Sequence, residues 1–140
     1  MLSGCSSSKE EEYSTVIDLA LKSNQELVTE YGWNEKYFAY EKEKSNIMVW
    51  EDENNYYVYF RKNVEDSYIR WDGYKIEKSN DKWNSVPADR AKIIEFIDDN
   101  VPPIYEESNV ELVADNMNMR WKNSILWIAL LYGSYKIYLI

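Results

Sequence analysis

Between Tyr13 and Tyr31 apolar side chains recur at Tyr13, Val16, Ile17, Ala20, Leu21, Leu27, Val28 and Tyr31, a spacing that gathers them on one face of a helix. Asn24 falls on that stripe, either as a hydrogen-bonded core polar group or as the edge of the face, and Gly32 stands where a helix ends on a left-handed residue. Trp33 to Lys44 mixes aromatics with charges, and Tyr37-Phe38-Ala39-Tyr40 reads as a short strand or a last turn, the strand being preferred. The period then drops to two. Asn46 to Trp50 and Tyr56 to Arg61 are rich in β-branched and aromatic residues and flank the polar Glu51–Asn55, which together predict a hairpin. Ser67 to Trp71 and Tyr74 to Lys78 flank Asp72-Gly73, a dipeptide suited to a type I′ turn, and predict a second hairpin. A four-stranded antiparallel meander covered by the first helix follows, an α+β layer architecture.

Further along, Ser85 near an N-cap and Pro87 in a first turn predict a second helix, with Ile93, Ile94 and Ile97 as its stripe and an end near Asn100, before Val101-Pro102-Pro103. Ile104 to Asn109 reads as acidic and irregular, and Val110 to Met119 fits no single pattern. Ser124 to Ile140 is far more apolar than anything before it. As a helix its seventeen residues would reach about 26 Å, short of a hydrocarbon core about 30 Å thick. Arg120 and Lys122 at its outer end oppose the positive-inside tendency. A hairpin turning at Gly133-Ser134 or a core helix is preferred over a membrane span; an unselected tail from an altered reading frame is the third alternative. The chain thus divides into a leader and polar run (1–12), an α+β domain (13–109) and a hydrophobic C-terminal extension (110–140).

Charge narrows the function. Sixteen Lys and Arg against 25 Asp and Glu leave a net charge of -9 over 140 residues, a balance that repels a polyphosphate backbone and argues against nucleic acid as a partner. Histidine is absent and Cys5 is the only cysteine, which removes Ser-His-Asp and Cys-His catalysis, His-bearing zinc sites and any intrachain disulfide.

Leu2-Ser3-Gly4-Cys5 resembles a bacterial lipobox, which implies that Cys5 is the lipid attachment point, although only four residues precede it and an upstream basic and apolar leader is expected. Ser6-Ser7-Ser8-Lys9-Glu10-Glu11-Glu12 then reads as a polar tether too poor in apolar surface to fold. Behind it, the order of a long helix and an antiparallel meander resembles the small cystatin-like-fold lipoproteins of Gram-positive bacteria. The likeness covers Cys5 to Trp83 and is carried by Leu2-Ser3-Gly4-Cys5, Ser45–Asp52, Tyr56-Tyr57-Val58 and Ser67–Lys75. It implies a fold and an extracytoplasmic, lipid-anchored location more than an activity. The Gln-x-Val-x-Gly hairpin tip through which cystatins enter a protease cleft is absent: Gln25, on the first helix, is the only glutamine.

Candidate chemistry is sparse. Glu51–Asn55 offers oxygen ligands for Ca²⁺ without EF-hand spacing, and a solvated turn is the better reading. Asp98-Asp99 and Glu106-Glu107 are adjacent pairs whose side chains point apart. No catalytic residue, metal or cofactor is assigned. The aromatic set is larger than one sheet face needs: strand alternation puts Tyr57 and Tyr59 opposite Tyr56 and Phe60, so one set packs under the helix while the other is either an exposed recognition surface or covered by a second element. Trp50, Tyr57 and Tyr59, rimmed by Arg61 and Arg70, are the candidate protein-binding residues. The expected function is a non-enzymatic, lipid-anchored binding protein that recognises another envelope protein, for instance an exclusion or immunity lipoprotein of a mobile element. The alternative is a small-molecule binder or enzyme with a pocket between helix and sheet.

Overall fold

The computed structural model describes residues 4–66, 68–78, 84–87 and 90–113, without the side chains of 4–7, 84, 85 and 87. Helix α1 spans Gly4–Glu30, a short helical turn α2 spans Glu35–Phe38, and a single 3-10 turn covers Lys42–Lys44. Strands β1 (Asn46–Glu51), β2 (Asn55–Val64), β3 (Tyr68–Glu77) and β4 (Asn84–Pro87) follow, then helix α3 (Arg90–Asp98) and strand β5 (Tyr105–Ser108). The sheet is antiparallel in the order β4-β3-β2-β1-β5: a four-strand meander with β5 added beside β1.

The stripe on α1 does what its spacing predicts as far as Val28, whereas Tyr31, its last expected member, lies just past the helix and is exposed. Val16, Ile17 and Ala20 are fully buried and pack on Ile47, Val49, Tyr56, Val58, Phe60, Tyr74 and Ile76, which alternate onto one face of β1, β2 and β3. Each such side chain contributes about 1.5–3 kcal/mol when fully withdrawn from water. The helix stops at Gly32, whose φ of 62° is the left-handed conformation a Cβ disfavours. Trp33 N–H donates to the Val28 carbonyl at 3.0 Å and Gly32 N–H to that of Thr29 at 3.3 Å, the two bonds of a Schellman cap.

Five expectations need correction. The polar run Ser6–Glu12 lies within α1 instead of forming an extended tether; Lys9 pairs with Glu12 one turn on, and the Glu12 carboxylate accepts from the Tyr56 hydroxyl. Tyr37–Tyr40 is not a strand: Asn34 caps α2 by accepting from the Lys36 N–H at 3.0 Å. Asp72-Gly73 is not a turn, because β3 runs straight through it with Asp72 opposite Phe60 and Gly73 opposite Tyr59. The chain reverses just after Val64, where Glu65 takes the positive φ of 53° that turns between strands require. Ser85 and Pro87 start no helix; they lie in β4, where Pro87, opposite Tyr74 on an edge strand, forfeits no ladder bond on its outer side. Finally, the acidic segment after Ile104 supplies β5, paired with β1 from Asn46↔Ser108 to Val49↔Tyr105.

The hairpin predicted around Glu51–Asn55 is present, in register Glu51↔Tyr56. No helix among the described residues is long and apolar enough to cross a membrane, and the apolar stretch Ser124–Ile140 lies outside them.

Candidate functional site

The second face of the sheet is closed. Trp50, Tyr57 and Tyr59 point away from α1 and lie under α3, which presses Ile93 and Phe96 onto them. Trp50 stacks on Phe96 with centroids 5.5 Å apart, and its indole N–H donates to the Val101 carbonyl at 2.9 Å. Only 3%, 6% and 8% of Trp50, Tyr57 and Tyr59 remain exposed, so of the two alternatives for this face the structure takes the covered one. Arg61 lies on the same face, 5.8 Å from the Tyr59 ring centroid, and rims no open surface formed by these three. The backbone of Cys5 falls in the first turn of α1.

An open aromatic group lies elsewhere, beyond the C-terminal end of α1. The Schellman cap turns the chain so that Tyr31 and Trp33 stack at 5.1 Å with ring planes 19° apart, and Trp33 meets Phe38 of α2 at 5.2 Å. Tyr31 is 60% and Trp33 42% exposed. These rings form one wall of a cleft of about 470 Å³, further lined by Asn24 and Leu27 of α1, by Arg70, Asp72, Gly73 and Tyr74 of β3, and by Arg90 of α3. That volume lies within the range of small-ligand sites.

The cleft exists where β4 stops. Among the described residues, pairing between β3 and β4 covers Tyr74 to Glu77, and Arg90, at the start of α3, reaches Asp72 beyond the last of these pairs. The Asp72 carboxylate accepts from Tyr40 Oη at 2.8 Å and from an Arg90 terminal nitrogen at 3.1 Å, and lies 3.2 Å from Arg70 Nε. The Arg70 contact is an ion pair not aligned as a hydrogen bond, and the guanidinium lies over the Phe38 ring at 4.2 Å. Arg90 lies over Trp71 at 4.8 Å. The floor is satisfied from within: Asn24 donates to the Phe38 carbonyl and to Tyr74 Oη, both at 3.0 Å, and accepts from the Tyr40 N–H at 2.9 Å. Asn24 is therefore the hydrogen-bonded core polar group of the two readings. Burial, with the Asp72 charge added, pushes the Tyr40 phenol well above its usual range, so it stays a donor to Asp72.

Of the sequence candidates, then, Arg70 belongs to the cleft, while Trp50, Tyr57, Tyr59 and Arg61 do not. Tyr31, Trp33, Phe38, Asp72 and Arg90 were missed. The available signal was Trp33 and Phe38, aromatics just after a helix-ending glycine in a segment with no periodic reason to be buried.

The acidic loop has a structural role. One Asp52 carboxylate oxygen accepts from the Asn54 and Asn55 amides at 2.9 and 2.8 Å, and the other from the Tyr57 hydroxyl at 2.9 Å, which closes the β1–β2 turn. Burial raises the Asp52 carboxyl, but the Asn54 amide, the Tyr57 hydroxyl and the Asn55 amide outweigh it and hold it below the usual carboxylate range. Among the described residues no three acidic or thiol side chains are grouped to hold a metal ion. Glu107 accepts from Tyr105 and pairs with Lys42, whereas its neighbour Glu106 is exposed, so the adjacent carboxylates do not act together. Lys62 is a buried cation, lowered by burial, with its ammonium donated to the Lys36 and Ala39 carbonyls; this ties the segment after α2 to β2.

No family model, no curated protein and no solved structure matches the chain.

Proposed function

We propose that this chain is a non-enzymatic binding protein, held at the outer face of a cell membrane by a lipid on Cys5, and that it recognises its target with the cleft beyond the C-terminal end of α1. The observation that carries the reading is the cleft's composition: an exposed wall of stacked rings faces a row of arginine, aspartate and arginine across about 470 Å³. Aromatic surface left open beside charged groups with unspent donors is costly to keep for stability alone and is what concave binding sites contain. With no histidine in the chain and the cleft carboxylate already engaged by Tyr40 and two arginines, the described lining of this site offers no free proton-transfer base. The cystatin-like reading belongs to the same proposal and is supported by a long helix laid across an antiparallel meander.

A second reading takes the target to be another envelope protein, as for an exclusion or immunity lipoprotein. The exposure of Tyr31 and Trp33 favours it, because Tyr and Trp bury much area at low entropic cost in interfaces. Two experiments test the proposal. Membrane fractionation of wild type and Cys5→Ala in a bacterial host should release the variant to the aqueous fraction; identical partitioning removes the anchor. Crosslinking in intact cells from a photoreactive side chain at position 33 should capture a discrete target that is lost with Arg90→Gln. An unchanged capture pattern removes the cleft as the recognition site.

A further inference from the structure

We infer that the cleft takes a ligand bearing a single carboxylate joined to a flat apolar ring. The inference rests on reading the cleft as the recognition site and adds the chemistry of what enters it.

The charge argument comes first. Arg70 and Arg90 both lean on Asp72, at 3.2 and 3.1 Å, and one carboxylate balances only one guanidinium. The described lining of the cleft therefore carries one excess positive charge, in a chain whose net charge is -9. The excess is accessible on Arg90, whose side chain is 60% exposed and which meets Asp72 through one terminal nitrogen. A guanidinium has five N–H donors in a planar fork, so most of its hydrogen-bonding capacity stays available for a second carboxylate. An excess of one unit suits a monoanion better than a phosphate dianion, and it disfavours a cationic ligand.

Shape supplies the rest. Tyr31, Trp33 and Phe38 follow one another with centroid spacings of 5.1 and 5.2 Å, their faces turned largely to each other and to Arg70, so that together they offer an apolar wall against which a flat ring packs edge to face. Asn24 makes no further polar demand on a ligand, since both its amide hydrogens and its carbonyl are already spent on Phe38, Tyr74 and Tyr40. A ligand polar at its middle would gain nothing from Asn24, so the arginine end is where its polar group is best placed.

Ligand-observed NMR on the full chain with single-ring fragments tests this. The fragments come in sets sharing one ring: a carboxylic acid, the matching primary amide and a phosphate monoester. The acids should bind at least tenfold more tightly than their amides, compete with one another and lose their signal with Trp33→Ala. Arg90→Gln should abolish the preference for acid over amide, weakening acid binding far more than amide binding. Asp72→Asn, which keeps an acceptor for Tyr40 and frees both arginines, should tighten acid binding several-fold. Equal binding of acids and amides overturns the inference and leaves the cleft standing as a neutral site. Phosphate monoesters binding more tightly than the acids overturn the carboxylate assignment. If no fragment binds in a Trp33-dependent way, the recognition site itself is wrong. Thermal unfolding of each variant confirms that the substitution leaves the fold in place.

Discussion

Two groups of aromatic side chains on this molecule differ in what covers them. Trp50, Tyr57 and Tyr59 stand on a sheet face and are sealed by Ile93 and Phe96 of α3. Tyr31, Trp33 and Phe38 stand where α1 ends and the chain turns towards the sheet, and two of the three stay open to solvent. The first group is bound into regular structure on every side; the second is held by one helix cap and one short turn. Aromatic content therefore does not mark a recognition surface here. What marks the recognition surface we propose is the place where the secondary structure runs out, at the end of α1 and beyond the last described β3–β4 pair.

The comparison breaks most sharply at Trp50. Trp50→Ala should cost about 3–5 kcal/mol of stability, because it empties a packed site and strands the Val101 carbonyl. Urea unfolding measures this, and a loss below about 1 kcal/mol would mean that α3 does not seal the face. Asn24→Ala should cost about 2–3 kcal/mol by leaving Tyr74, Tyr40 and the Phe38 carbonyl without their partner, and should also weaken ligand binding because it loosens the cleft floor.

Alkaline pH acts on the closed interior in a definite direction. Burial raises the Tyr59 and Tyr74 phenols above their ordinary 10.0, and burial with the Asp72 charge does the same at Tyr40. The folded chain keeps protons that the unfolded chain releases, so this stabilisation is complete below pH 10.0 and is lost as pH rises through the higher folded values. Lys62, lowered by burial, contributes with the opposite sign. Tm should hold up to about pH 10 and fall above it, and Tyr40→Phe should make that fall shallower; an unchanged slope would show that Tyr40 is not insulated from solvent. The smallest effect on stability belongs to Trp33→Ala, about 1 kcal/mol or less by thermal unfolding, together with loss of ligand binding. A large destabilisation there would make the open group structural and erase the contrast.

Much of the frame could be read from local pattern. The stripe on α1, the stop at Gly32 and the β1–β2 hairpin each follow from a spacing or a dihedral requirement carried by the residues themselves. Errors arose where a local signal met a longer-range partner. Asp72-Gly73 has the chemistry of a tight turn, yet continuing the strand lets ten residues of β3 pair with β2, and the ladder wins. Ser85 and Pro87 resemble a helix start, but β3 offers an edge to pair with. The cleft was out of reach for the same reason. Its walls come from α1, the α2 segment, β3 and α3, and only tertiary placement brings Trp33 and Arg90 to one opening.

The continuity of α1 has a mechanical consequence. Twenty-seven residues of unbroken helix extend about 40 Å at 1.5 Å per residue. Cys5 lies in its first turn, and Tyr31 follows its last residue. Acyl chains on Cys5, as we propose, would put that length of rigid helix between the point of attachment and the cleft.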